Sequence, residues 1–530
     1  MDDQQYNAIF QNILERIKAK DPTLTSINLE NNPIRDDGAK VLAKALEGNT
    51  TLKELNLTGN FITDDGAEAL GAVLKTIKTL TELNLYGNGI GDDGFEVLAN
   101  LLKDNETLKI VNFGGNEEIG DKGFEALLDG IRNNATLEKL TLSYAEIVVE
   151  WAEKLAGALD GNTALKELDL SGNEIGDEGA EALGAVLKTI KTLKGLNLYE
   201  NKIGDEGAKA LANLLKDNET LKIVNFGNNE IGDSGVKFLV DNISNNALTD
   251  LDLGDNKIGA DGAKALEFFL KKNNILKNLN LHNNQIGDEG AKALARELSE
   301  NKTLASIILI DNQIGDEGAK ALENAFAFKE NPEKYNLTLT DLKISNNQIG
   351  KKEQERLDTL ILRNAKLPDK IVEKIYQSFM QKQQGQIANP VLLEEIESRL
   401  IATSPNSCVE ILKKLLQKDG IPEILSENPK ILVDHVRQFP GGLGLSGLKI
   451  LLASAQLKEP EDFFTIDKFL PKEISILMGV AKELDTSSGS LSLATMPSEI
   501  LIKIFKDLMP SNSPKPNEAA QTQITSGHPR

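Results

Sequence analysis

Cys408 and His435 fall in the C-terminal part of the chain, where a thiol and an imidazole could form a nucleophile and its base. Cys408 is also the only cysteine, and a lone cysteine usually serves as a small buried hydrophobe. The remaining histidines, His282 and His528, are far apart in sequence, and no H-E-x-x-H or C-x-x-C spacing occurs. No metal site is therefore expected. Gly442, Gly444 and Gly447 spell G-x-G-x-x-G. A dinucleotide site needs a strand before that motif, whereas 430–439 has helical spacing, so it reads as a turn between helices. No cofactor, no catalytic residue and no enzymatic activity are expected. A single cysteine allows no intramolecular disulfide, which points to a reducing compartment.

Any chemistry left is that of binding, and a repeat must position it. The unit L-x-x-L-x-L-x-x-N-x-I-G-D-x-G-A-x-x-L-A begins at Leu24, Leu52, Leu80, Leu108, Leu137, Leu165, Leu193, Leu221, Leu248, Leu276, Leu304 and Leu339. The spacing is 28 residues except for single steps of 29, 27 and 35. Alternating Leu55 and Leu57 predict a short strand with one buried face. Ala67, Leu70, Gly71 and Leu74 follow at helical spacing after Gly66. One copy cannot bury its own leucines, but stacked copies share a core. An asparagine column runs from Asn32 to Asn347 and should satisfy backbone groups in the turns above and below. Ala145 breaks that column in repeat five.

These residues resemble leucine-rich repeats of the ribonuclease-inhibitor type over about 24–350. The resemblance implies an α/β horseshoe solenoid of about twelve 28-residue strand-loop-helix repeats, with strands on the concave side. It also implies protein binding as the function. Relatives of this type include a GTPase activator that acts on Ran and repeat proteins that bacteria deliver into host cells. Residues 1–23 read as an N-terminal helical cap and 24–363 as the solenoid. Residues 364–510 read as an all-α domain, and 511–530 as a disordered tail rich in Ser, Pro, Asn and Gln.

A longer period lies inside the short one. Residues 66–80 repeat identically at 179–193, and 98–114 at 211–227, an offset of four repeats. The helical faces of this block have not diverged, which argues against a specialised site there.

On the concave wall the residues between the leucines point outward. Tyr86, Tyr144, Tyr199, Asp252, Asp255 and His282 are the candidate partner contacts, since exposed tyrosines on a rigid wall make good anchors. Trp151 replaces the repeat glycine, next to Ile147, Val148 and Val149. Either this is an exposed apolar loop for a partner, or Trp151 fills a gap in the core.

The net charge is −22; residues 1–350 carry 58 acidic and 36 basic side chains, and 351–530 carry 23 of each. Such a field repels nucleic acid and suits a basic protein partner, or only keeps the chain in solution. No stretch is long and apolar enough for a membrane span, and the N-terminus lacks a secretory signal pattern. The expected setting is cytoplasmic, or the host cytoplasm for a secreted bacterial effector. Two rival functions remain open. One is GTPase activation, although the acidic C-terminal run of the Ran activator is absent. The other is ubiquitin-ligase docking, because residues 496–508, MPSEILIKIFKDL, look like the opening of an F-box.

Overall fold

The computed structural model describes residues 3–365, except 104, 133, 244–246, 302, 327–338 and 340. The expected all-α domain and tail, the Cys408–His435 pair, the glycine motif, His528 and the F-box-like segment lie outside the described residues. So does most of the insertion before repeat twelve.

Twelve strands and thirteen helices alternate among the described residues. Helix α1 is Asp3–Lys18, and its Ile13, Leu14 and Ile17 are buried against the first repeat, as a cap requires. Repeats one to four pair β1 Ser26–Asn28 with α2 Arg35–Ala45, β2 Glu54–Asn56 with α3 Asp64–Leu74, β3 Glu82–Asn84 with α4 Asp92–Lys103, and β4 Ile110–Asn112 with α5 Asp121–Arg132. Repeats five to eight give β5 Lys139–Thr141 and α6 Val149–Leu159, β6 Glu167–Asp169 and α7 Gly176–Leu187, β7 Gly195–Asn197 and α8 Asp205–Asp217, β8 Ile223–Asn225 and α9 Asp233–Asn242. Repeats nine to twelve give β9 Asp250–Asp252 and α10 Ala260–Lys272, β10 Asn278–Asn280 and α11 Gly287–Leu298, β11 Ser306–Ile308 and α12 Asp316–Phe326, β12 Asp341–Lys343 and α13 Lys351–Ala365.

The strands form one parallel sheet in sequence order, with Leu55 opposite Leu83 and the same register at every step. The middle residue of each strand is buried and its flanks are open, except at the buried Thr141 of β5, so one sheet face packs on the helices and the other is exposed. Each buried leucine contributes about 2 kcal/mol. Neighbouring repeats supply the cover that one repeat lacks.

Two side-chain ladders lock the stack. The asparagine ladder runs as expected, with one refinement: the amides bond within their own turn and to the repeat before, not to the one after. Asn88 Nδ2 donates to the carbonyls of Leu57 (3.0 Å) and its own Leu85 (2.9 Å). Its Oδ1 accepts from the N–H groups of Asn60 (3.1 Å) and Ile62 (3.0 Å). Ala145 leaves the step from repeat five to repeat four without that amide.

The second ladder is aspartate, and six helices (α3, α4, α5, α8, α9 and α12) open on it, two residues before the glycine that the sequence suggests. Asp64 Oδ1 accepts from the N–H of Gly91 (2.7 Å) and Gly94 (3.0 Å) in the next repeat. Asp205 does the same for Gly232 and Gly235, and Asp288 for Gly315 and Gly318. The residues at the helix starts, such as Thr63 and Gly232, make no capping bond with their own side chains. Eight of the helices, all but α2, α6, α7 and α11 among those of the repeats, are capped instead by a carboxylate from the repeat before them.

A candidate protein-binding surface on the strand face

Tyr86 and Tyr199 follow Leu85 and Leu198, the leucines just past β3 and β7, at equivalent places in the duplicated block. Tyr144 lies one residue further along its repeat, in a left-handed backbone conformation with φ 51°. All three rings lean toward the following repeat, over a glycine. A side chain at Gly172 would collide with the Tyr144 ring. A Cβ at Gly115 would lie 3.3 Å from Tyr86 Cζ, and one at Gly227 would lie 3.1 Å from Tyr199 Cδ2. The rings are thus held by backbone on one side and open on the other; Tyr144 is 42% exposed.

The row is linked. The Tyr144 hydroxyl donates to Glu200 Oε2 at 3.2 Å, two repeats on. Burial first, then the Glu200 charge and its hydrogen bond, then Tyr199 and Tyr86, push the Tyr144 phenol above its ordinary value. Tyr199 is also pushed up, by burial first and then by Asp255 and Glu200. Glu200 escapes a reading of strand positions because it lies in the loop; its place beside Tyr199 in L-Y-E-N is the only signal for it.

Asp252, Asp255 and His282 gather at the continuation of this row. His282 stands between two carboxylates, with Nε2 3.9 Å from Asp255 Oδ1 and Nδ1 3.9 Å from Asp311 Oδ2. Asp311 was not among the expected contacts. Asp252 accepts from the Gly254 N–H (2.9 Å) and from Asn280 Nδ2 (3.0 Å). Over β8–β11 the strand face sinks into a shallow hollow of about 220 Å³, with Ile223 and Ile308 among its walls and Asp250 and Asp252 within it. Ile223 is 56% exposed.

Trp151 does not join this surface. It opens helix α6, in the helical layer. Its ring stacks on Phe124 at 4.4 Å and 12°, and its Nε1 donates to Asp121 Oδ1 at 3.0 Å. Ile147 is fully buried, so only Val148 of that apolar run stays exposed. Trp151 fills the gap between α5 and α6 rather than offering a loop to a partner, because an indole replaces the glycine that lets other helices approach.

The charge needs a second correction. The first turns of the helices hold paired acids, such as Asp64 and Asp65 or Asp288 and Glu289, where they complement the helix dipole. On the strand face acids alternate with lysines: Lys139 meets Glu167 at 2.9 Å and Lys166 meets Glu138 at 2.6 Å. The excess acid therefore sits largely at helix starts, and the strand face is mixed rather than uniformly acidic. Asp169, Asp250 and Asp252 are exceptions, since only neutral donors reach them among the described residues.

Residues 7–146 match the TMOD/LMOD leucine-rich domain family. The leucine-rich repeat family matches at 161–184, 189–212, 217–240, 244–266, 272–295, 300–322 and 335–352. No curated protein sequence matches the chain. Among solved structures, an internalin from Listeria monocytogenes is similar at 23% identity and TM-score 0.40, over 67% of this chain and 92% of that one. A structure of the Rad7 and Elc1 complex in yeast is similar at 18% identity and TM-score 0.40, over 66% of this chain and 84% of that one. Among the described residues, no helix is long and apolar enough to cross a membrane. With its leucine spacing, its single parallel sheet and both family matches in agreement, the chain is a leucine-rich repeat protein.

Proposed function

We propose that this chain is a non-enzymatic scaffold that binds another protein across its strand face, with Tyr86, Tyr144 and Tyr199 as anchors. The observation that carries the reading is the tyrosine row: three rings fixed over backbone, with Tyr144 bonded to Glu200 beside Tyr199, on a wall of regular strands. Such a row offers large amphipathic contact area with little side-chain freedom left to lose on binding. In a finer form of the same reading, the chain is a bacterial effector acting on a host protein in the host cytoplasm. The little-diverged duplication of 66–80 and 98–114 supports that form.

The test is capture from cell lysate by the full chain and by the triple variant Tyr86→Ala, Tyr144→Ala, Tyr199→Ala. Proteins retained by the wild type should be lost from the variant. Identical capture by both removes the tyrosine row from the reading. Stimulated GTP hydrolysis on a captured small GTPase would replace the scaffold with an activator.

A further inference from the structure

We infer that the hollow over β8–β11 receives an arginine side chain from an extended segment of the protein partner. The inference rests on the strand face being the binding surface. Its volume, about 220 Å³, is below the roughly 300–1,000 Å³ of small-molecule sites. That size suits one side chain of a longer ligand. Its walls are aliphatic at Ile223 and Ile308, which suits the methylene stem of an arginine.

The charge in the hollow is surplus to the fold. In other repeats an asparagine stands where Asp252 stands, and its Oδ1 accepts the N–H two residues on: Asn84 from Tyr86, Asn225 from Gly227, Asn280 from His282. Asp252 makes that same bond to Gly254, and its other oxygen accepts from the neutral Asn280 Nδ2, so no cation is bound by the charge it carries. The position of Asp250 is held elsewhere by serine, glutamate, isoleucine, lysine, glycine or asparagine, and by a second aspartate only at Asp341, which has Lys343 at 3.8 Å. Repeat six also carries two acids, but there Lys139 is paired with Glu167. In repeat nine no described cation pairs with either aspartate. Two uncompensated carboxylates on one strand face, two residues apart, match the planar fork of a guanidinium.

An aromatic neighbour completes the fit. A Cβ at Gly227 would lie 3.1 Å from Tyr199 Cδ2 and 3.3 Å from Asp252 Oδ1, so the ring and the carboxylate close over that buried glycine side by side, at the edge of the hollow. An arginine that pairs with Asp252 from within the hollow therefore lies beside the Tyr199 ring. Lys222 and Lys277 are exposed just before β8 and β10 and repel a cation at that end. The guanidinium therefore sits over the middle of the strands, toward Asp255.

The test uses the full chain and a random twelve-residue displayed peptide library. Wild type should enrich peptides with arginine beside aliphatic residues. The affinity of an enriched peptide should fall about tenfold or more in Asp250→Asn/Asp252→Asn, a loss of about 1.4 kcal/mol. It should rise in Lys222→Gln/Lys277→Gln. Asparagine is native at the equivalent of 252 in other repeats, so the thermal midpoint of the first variant should hold. No enrichment, enriched peptides without arginine, or an affinity unchanged in the aspartate variant overturns the inference. Tyr86→Ala/Tyr144→Ala leaves the hollow intact. Peptide affinity kept there, with partner capture lost, separates failure of the hollow from failure of the tyrosine row.

Discussion

Tyr144 is the residue at which the strand face can be tested most directly. Its hydroxyl reaches across repeat six to Glu200, and its proton is held by burial first and by that carboxylate second. A phenol whose folded value is raised favours the native state below the ordinary value of 10.0, and that contribution is lost as pH rises through the raised value. Ring-labelled tyrosine observed by NMR should therefore show Tyr144 and Tyr199 ionising above 10.0. Glu200→Gln should bring Tyr144 part of the way down, because burial remains, and should move Tyr199 less. A Tyr144 midpoint unchanged in that variant means the bond to Glu200 does not form in solution. The same residue scale shows what a sequence leaves out. The tyrosines were legible from leucine alternation, because the period decides which side chains face outward. Their partners were not, because Glu200 is 56 residues from Tyr144 and meets it only once the repeats are stacked.

At the scale of elements, the aspartate ladder decides how each helix begins. Where the preceding repeat supplies an aspartate, the residue before the helix is extended: Thr63 has φ −106° below Asp36, and Gly232 has φ −100° below Asp205. Repeat nine has Ala260 in place of the aspartate, and repeat five has Val149. After them the chain turns left-handed, at Gly287 (φ 58°) and Gly176 (φ 62°). Repeat one has no repeat before it, and Arg35 takes φ 55°. In these three loops the free N–H turns to the backbone carbonyl of the next ladder asparagine: Asn312, Asn201 and Asn60. Space is not the constraint at Gly287, because a Cβ there meets nothing within 4 Å. Gly287→Ala should therefore cost about 1–2 kcal/mol from backbone handedness alone. Ala260→Asp should remove most of that cost, by capping residues 287 and 290 as Asp288 caps Gly315 and Gly318. A double-mutant cycle on the urea midpoint measures the coupling. Costs that simply add would show that the carboxylate does not set the loop. The sequence displays I-G-D-x-G plainly, but not this role: the amides that each aspartate caps lie about one repeat further along.

Across the whole solenoid, stability is a sum of repeats and of the interfaces between neighbours, so the weakest interface opens first. The step between repeats four and five is that interface. Ala145 supplies no amide to hold the repeat-four loop, and Asp121 gives its oxygen to the Trp151 indole instead of to backbone N–H groups. Among the repeat helices, α5 and α6 also share the smallest contact, because the indole holds them apart. The Phe124–Trp151 stack offsets part of the loss, at about 0.5–1.5 kcal/mol for such an aromatic pair. The duplicated block provides an internal control. In the equivalent loop of repeat eight, Asn256 Oδ1 holds the Ile231 N–H at 3.0 Å, and the Asn229 N–H reaches the Asp255 carbonyl at 3.2 Å. Native-state hydrogen exchange should therefore be faster at 116–119 than at 229–231, although identical segments, 98–114 and 211–227, lead into both loops. Trp151→Gly should leave the difference in place, since it frees Asp121 and lets the helices approach but does not restore the asparagine that holds this loop. Equal protection in the two loops would mean that the indole replaces both ladders in full. The solenoid would then behave as one unit, instead of parting at a joint that lies beneath Tyr144, midway along the proposed binding row.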